Sequence, residues 1–366
     1  MVSITVCVRN GAHWIDDCLA SLKGQTHPST EILVVNDGST DGAEAILDAH
    51  HDPEGNNGVP VRVHHQPPLG LSAGRQWAVE QARGEWVAIT DIDVRPEADW
   101  VANMVAQIHP VDPEERVVAV TGRTVFEQAS DLVSRLRSVE IAAKYRARPR
   151  RTSLANGPCS MFNRDALLAV GGFDPEWYHA EDMEVSLRLI QAGGTIVYAR
   201  DALVRHVPET GAYHFLAKRR RDARAHVRIV RHHPKRQRGG PGFDFLGSST
   251  VVLCMLPMWL AVLILFVPFV LGLLSGDLAL DKAMLQQWEG QALIASIAVL
   301  LIQEVLVWRG RLGVVNREVV RSTTGSKLVA MLGVRRMILR WSLALWHGLC
   351  LGVLDAILGR NGHRRA

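Results

Sequence analysis

Trp86-Val87-Ala88-Ile89-Thr90-Asp91-Ile92-Asp93 is a short apolar run that ends in two carboxylates at i and i+2. A run of this length and composition reads as a strand buried on both faces. Carboxylates leaving the end of such a strand can hold a hard divalent cation through oxygen. Solvated loop aspartates look the same in isolation, so the surrounding pattern has to decide.

Working outward, Ile4–Val8 and Glu31–Val35 are two more apolar runs, and Val61–His65 reads as a further strand. Trp14, Ile15, Cys18, Leu19 and Leu22 recur at helical spacing, as do Trp100, Val101, Met104, Val105 and Ile108. The second run ends in Asn36-Asp37-Gly38, a turn signal, after which Ser39 or Thr40 can cap a helix over Ala43–Ala49. Ser72–Ala82 reads as a helix stopped by Gly84. Strand and helix alternate, which implies an α/β fold of parallel β-α units with ligand-binding loops at the carboxyl ends of the strands. The acidic turns after Val35 and Thr90 both fall at that edge. Further on, Leu132–Ala147 and Glu181–Ala192 read as helices, Ala155–Asn163 as extended, and Thr195–Ala199 as a strand.

Other residues can carry chemistry. Asp37 either simply shapes its turn or accepts a hydrogen bond from a nucleotide base or ribose. Glu181 and Asp182 open a helix after the Gly171-Gly172-Phe173-Asp174 turn, where a carboxylate serves as a cap or as a general base. His206 matters if it lies near Asp93, and Arg75 if it faces a diphosphate. Trp177 and Glu181 are candidates for the acceptor side.

In order, ITVCVRN, EILVVNDGSTDG, GLSAGRQWAVEQARGEWVAITDID and the stretch NGPCSMFNRDALLAVGGFDPEWYHAEDMEVSLRLIQAGGTIVYARDALVRH resemble family 2 glycosyltransferases, which have the GT-A fold. The resemblance covers about residues 2–210. It implies metal-dependent transfer of a hexose from a UDP- or GDP-linked donor, with inversion at the anomeric carbon. It also implies Mg or Mn at Asp91 and Asp93, with His206 as a further ligand. Asp37 would hold the base, helped by the Val8-Arg9-Asn10 turn and Arg75, and Asp182 would be the catalytic base. Two positions depart from the pattern: Gln76 replaces a common Asn, and Arg9 a frequent aromatic. The Gln-X-X-Arg-Trp sequence of processive synthases is absent, which favours addition of one sugar. A polyprenyl-phosphate acceptor would need no base, and a non-catalytic nucleotide-sugar-binding subunit would need no Asp182.

Length and composition fit a globular domain plus an appendage. The chain has 366 residues with a formal net charge of +4. That charge is exceeded by the basic stretch alone, in which Lys218, Arg219, Arg220, Arg221, Arg224, Arg228, Arg231, Lys235, Arg236 and Arg238 face a lone Asp222. The run directly precedes Phe245–Gly276, which carries no charge, so its expected partner is a membrane with anionic lipids and not a nucleic acid. The expected domains are a GT-A domain over 1–212, a basic juxtamembrane segment over 213–244 and a membrane domain over 245–366. Spans are expected at about 250–274 and 291–308, with a third span or an interfacial helix at 338–358, where Arg340, His347 and Asp355 fall near one helical face. The Asp277–Gln291 loop is poor in cations and the 309–336 loop rich in them, which places the latter on the inner side. Pro257 and Pro268 suggest kinks. No secretory signal precedes the first strand, and the five cysteines show no metal or redox spacing. The catalytic domain is therefore expected in the cytoplasm, on a multi-pass protein of the cell membrane.

Overall fold

In the computed structural model, residues 1–127, 130–234, 245–275 and 287–361 are described. The first half alternates as expected: β1 (Val2–Val8), α1 (Ile15–Lys23), β2 (Thr30–Asp37), α2 (Ala43–His50), β3 (Val61–Gln66), α3 (Leu71–Gln81) and β4 (Trp86–Asp91). The four strands are parallel in the order β3-β2-β1-β4. Their continuous apolar runs are explained by burial on both faces: Val34 and Ala88 enter one core layer, and Leu33, Val87 and Ile89 the other. Cys7 of β1 stands opposite Val35 of β2 and Asp91 of β4. That register brings Val8, Asp37 and Asp91 to one edge.

The second half is β5 (Val94–Pro96), α4 (Trp100–Val105), β6 (Val117–Phe126), α5 (Leu132–Arg146), β7 (Arg151–Thr152), β8 (Ser160–Asn163), α6 (Arg164–Ala169), α7 (Glu181–Gln191) and β9 (Thr195–His206). The sheet continues β4-β8-β6-β9-β5, with β7 beside β9, and becomes mixed because β8 runs antiparallel to β4 and β6. Only residues 160–163 of the extended stretch form a strand. Before them, the backbone amides of Ala155, Asn156 and Gly157 donate to Ser186, Thr121 and Asp182 side chains instead of to a ladder. β9 runs seven residues past its expected end, to His206. There it pairs antiparallel with β5, with Val94 opposite His206. This pairing carries the end of the Asp91–Asp93 turn to the histidine.

The basic stretch is a helix, α8 (Ala212–His232), continuous with the catalytic half. Lys235, Arg236 and Arg238 lie outside the described residues, as do positions 277–286 and 362–366. α9 (Phe245–Ser275), α10 (Trp288–Trp308), α11 (Gly310–Ser322) and α12 (Lys327–Ile357) follow. Among the described residues, three helices are long and apolar enough to cross a membrane: Ser249–Ser275, Trp288–Trp308 and Lys327–Ile357. α9 continues through both Pro257 and Pro268.

α12 packs along α8, and two glycines allow it. A Cβ on Gly348 would strike the Arg220 carbonyl, and one on Gly352 would lie 2.8 Å from Val227 Cβ. Arg224 forks onto Asp355 at 2.5 and 2.8 Å. Asp355 is thus buried in a pair while Arg340 and His347 are exposed, so the three do not share one environment as their spacing suggested. One apolar core joins Leu136 of α5, Phe215 of α8, Met255 of α9, Val307 of α10, Val319 of α11 and Trp341 of α12. The polar residues near the end of α10 find partners on neighbouring helices. Gln303 donates to the Met255 carbonyl, and Glu304 pairs with Arg335 at 2.8 Å. Leu263, Ile264 and Leu271 of α9 and Ile294, Ile297 and Leu301 of α10 are left exposed, as lipid-facing residues would be.

Candidate active site

At the carboxyl edge of β1, Asn10 takes a left-handed φ of 53°. Its amide donates to Ser39 Oγ at 3.0 Å, and its Oδ1 accepts from Thr40 N at 2.8 Å. The side chain therefore ties the loop after β1 to the loop after β2. Asp37 is buried at the end of β2. Its Oδ1 accepts from Gln66 Nε2 and Leu69 N, both at 2.8 Å, and Gly70 N lies 3.0 Å from both oxygens. Arg9 approaches its Oδ2 at 3.9 Å. This carboxylate anchors the entry to α3, and Oδ2 is the less committed oxygen.

α3 supplies Arg75, 2% exposed. Its Nη1 donates to Glu181 Oε1 at 2.7 Å and its Nη2 to Asp91 Oδ1 at 2.8 Å. The two carboxylates hold the guanidinium more firmly protonated than usual, against the effect of burial. Next along α3, Gln76 Oε1 accepts from Phe173 N at 2.7 Å. The departure at Gln76 thus has a structural role: it fixes the turn through Gly171 and Gly172, both with positive φ.

α7 opens after a left-handed Ala180, with φ 60°. Glu181 is buried against Arg75, whereas the Asp182 side chain is bonded, among the described residues, by backbone amides: Gly157 N at 3.0 Å to Oδ2 and Met183 N at 2.8 Å to Oδ1. Burial raises both carboxyls above their usual range; Arg75 pulls Glu181 the other way, and the Gly157 amide does the same to Asp182.

Asp93 and His206 meet, with Oδ2 and Nε2 3.5 Å apart. His206 Nδ1 faces the Val207 carbonyl at 2.9 Å. A carbonyl only accepts, so Nδ1 carries a proton and Nε2 is the nitrogen turned toward Asp93. The ring stacks on Phe126 at 4.4 Å, which fixes its plane. Asp91 stands on the same edge with one oxygen on Arg75. No group of three or more His, Cys, Asp or Glu side chains among the described residues could hold a metal ion by itself. A carboxylate and an imidazole nitrogen, with a second carboxylate nearby, nevertheless fit an ion that takes its other ligands from substrate phosphates and water.

A cavity of about 930 Å³ includes Val8, Arg9, Asp37, Arg75 and Asp91, then Glu181, Asp182 and His206. It runs on past α5 and α8 to Ser249 of α9 and Trp341 of α12. A second cavity of about 830 Å³ holds Asp93 and His206 and opens between α8 and α12.

Residues 3–171 match the family model Glycosyl transferase family 2. The match lies within the N-terminal α/β half of the chain. Over 226 residues the chain is 27% identical to the pre-mycofactocin glycosyltransferase of Mycobacterium tuberculosis, covering 60% of this chain and 45% of that protein. Over 219 residues it is 29% identical to the poly-beta-1,6-N-acetyl-D-glucosamine synthase of Staphylococcus epidermidis, covering 57% of this chain and 50% of that one. The chain thus spans about half the length of these curated relatives. Among solved structures, the mannosyltransferase PcManGT of Pyrobaculum calidifontis, in complex with GDP-Man and Mn2+, superposes with a TM-score of 0.56 at 21% identity, over 97% of this chain and 87% of that one. This likeness establishes the GT-A fold.

The residues singled out from sequence line one or both of these cavities, with two exceptions. Asn10 lines neither cavity and acts between two loops. Trp177 is 3% exposed, with Arg228 over its ring at 4.0 Å and His232 at its edge. It lines neither cavity, while its neighbours Tyr178 and His179 line both. The left-handed residue at 180, just after these two, is an alanine and left no signal in the sequence.

Proposed function

We propose that this glycosyltransferase adds one sugar, from a UDP- or GDP-linked donor and with inversion, to a hydroxyl of a lipid-linked or membrane-proximal glycan. The observation that carries the reading is the single cavity. It joins the nucleotide edge at Asp37 and Arg75 to Asp182, and continues to helices with lipid-facing surfaces. Asp37 Oδ2 and the Val8–Arg9 backbone would receive the base and ribose. Arg75 holds Asp91 and Glu181 in place. Asp182 takes the proton of the acceptor hydroxyl as that oxygen bonds to the anomeric carbon and the bond to the nucleoside diphosphate breaks. Asp93 and His206, with Asp91, would hold Mg or Mn, which supplies positive charge for the leaving diphosphate. A phosphate acceptor would need no base, so the placement of Asp182 favours a hydroxyl.

The full-length enzyme in detergent, given a panel of nucleotide sugars and Mn, tests this. Radiolabelled sugar should pass to an organic-extractable product when membrane lipid extract is added. Nucleotide release that ignores the extract, with all label remaining water-soluble, would overturn the lipid-linked acceptor.

The placement of α12 supports two spans with one interfacial helix. Its Gly333 lies against Leu132 at the start of α5, and just past its end Asn361 donates to Glu176 Oε2 at 3.0 Å. A helix of 31 residues is about 45 Å long, yet both its ends meet the catalytic half. Its exposed Leu328, Leu332, Leu343 and Leu354 would enter the bilayer surface. In a variant lacking the exposed Cys254 and Cys350, cysteines placed at Thr324 and Asn361 should be labelled from one side, the cytoplasm. Labelling from opposite sides would make α12 a third span.

A further inference from the structure

Away from the nucleotide edge, the long cavity is lined by Arg137, Lys144 and Arg148, from α5 and the turn after it, and by Lys218, Arg219 and Arg221 of α8. Four of these cations are met by carboxylates. Arg137 pairs with Glu140 and Glu209 at 3.0 Å each, and Lys218 reaches Glu209 at 3.7 Å. Arg219 and Arg221 share Asp222 at 3.2 and 3.8 Å.

Lys144 and Arg148 stand apart. Neither has a carboxylate within ion-pairing distance among the described residues. Arg148 is 8% exposed, and its guanidinium lies 4.9 Å from the ring centre of Tyr145 and 5.6 Å from that of Tyr198. Its Nη1 has no hydrogen-bond partner among the described residues. Burial, then the nearby Arg148, pushes the Lys144 ammonium down to about 8. A buried guanidinium with an unmade bond is costly, and a planar fork of this kind suits phosphate oxygens. Ser249 and Trp341 bound the same chamber from the helices of the membrane part.

We propose that this chamber is an anion subsite in which Arg148 and Lys144 grip a phosphate on a lipid-linked acceptor. The proposal rests on the lipid-acceptor reading above and adds the group by which that acceptor is recognised. The hydroxyl to be glycosylated then lies at Asp182, while the phosphate sits deeper, toward α5 and α8. Acceptors of the same lipid without phosphate bind weakly.

The test uses the full chain in detergent with excess chelator, which separates this subsite from metal-assisted diphosphate binding. Farnesyl phosphate, farnesol and inorganic phosphate are titrated by calorimetry, and a fluorescent nucleoside diphosphate sugar is titrated separately with Mn. Farnesyl phosphate should bind at least about tenfold more tightly than farnesol, and Arg148→Gln should remove that difference. Lys144→Met, at a half-buried position, should weaken it in the same direction and serves if Arg148→Gln unfolds. Donor affinity should be unchanged in both variants. Equal affinities for farnesyl phosphate and farnesol, or unaltered variants, would overturn the subsite. Inorganic phosphate binding as tightly as farnesyl phosphate would overturn the lipid source. Donor binding that persists in either case leaves the glycosyltransferase reading standing; its absence in the wild type would sink that reading instead.

Discussion

Asp182→Asn should bind donor normally and lose transfer by about a hundredfold to ten-thousandfold, the usual cost of removing a positioned base. The carboxylate accepts from the Gly157 amide on Oδ2 and from the Met183 amide on Oδ1, so Asn keeps the size of the side chain and one of these bonds while losing the basic oxygen. Desolvation raises the Asp182 carboxyl, which makes it a stronger base than a solvated aspartate. Only the ionised form accepts a proton. The rate of transfer should therefore fall as pH drops through a value above the ordinary aspartate range, and this acid limb should vanish in the variant. Glu181→Gln should behave differently. Its partner is Arg75, which also holds Asp91, so the change should weaken donor binding more than turnover. Steady-state rates with separate donor titrations check both. Wild-type transfer by Asp182→Asn, or a defect confined to donor affinity, would remove the assignment and favour a phosphate acceptor or a binding subunit.

What the sequence made legible is local. Asp37, Asp91 and Asp93 could be found because each ends an apolar run, and parallel β-α order puts such ends on one edge. Asp182 could be found because acidic residues open a periodic helix. What stayed hidden depends on distant pairing. β6 was missed because Gly122 and Arg123 interrupt its apolar run, at a point where the ladder with β9 shifts register. β5 has three residues, too few for any periodicity, yet it joins Asp93 to His206. The basic stretch read as a juxtamembrane segment, with no helix assigned, because its apolar positions are sparse. In the fold, Phe215, Ala223 and Ile229 are buried and the arginines line cavities. Lys144 and Arg148 carry no motif, and what sets them apart is that no carboxylate among the described residues forms an ion pair with them.

Asp93→Ala should abolish metal-dependent donor binding and reduce transfer by about a thousandfold or more, on the scale of losing one preorganised charge-stabilising contact at a reacting centre. Asp93 follows β4 directly and faces His206 at 3.5 Å, with the imidazole already committed by its Nδ1 proton to the Val207 carbonyl. Removing the carboxylate leaves one nitrogen donor, and Asp91 cannot substitute fully because Arg75 occupies one of its oxygens. His206→Gln should cost less than Asp93→Ala, since it removes a neutral ligand and keeps both carboxylates. The fold should survive either change: the Asp93 side chain is 27% exposed, and the β5–β9 pairing is made by backbone. Circular dichroism melts of the variants should therefore match the wild type while Mn titrations of donor binding go flat. Excess chelator should inactivate the wild type, and added Mn or Mg should restore it. Full activity in chelator, or undiminished turnover by Asp93→Ala, would show that the Asp93–His206 pair serves the fold and not the leaving group.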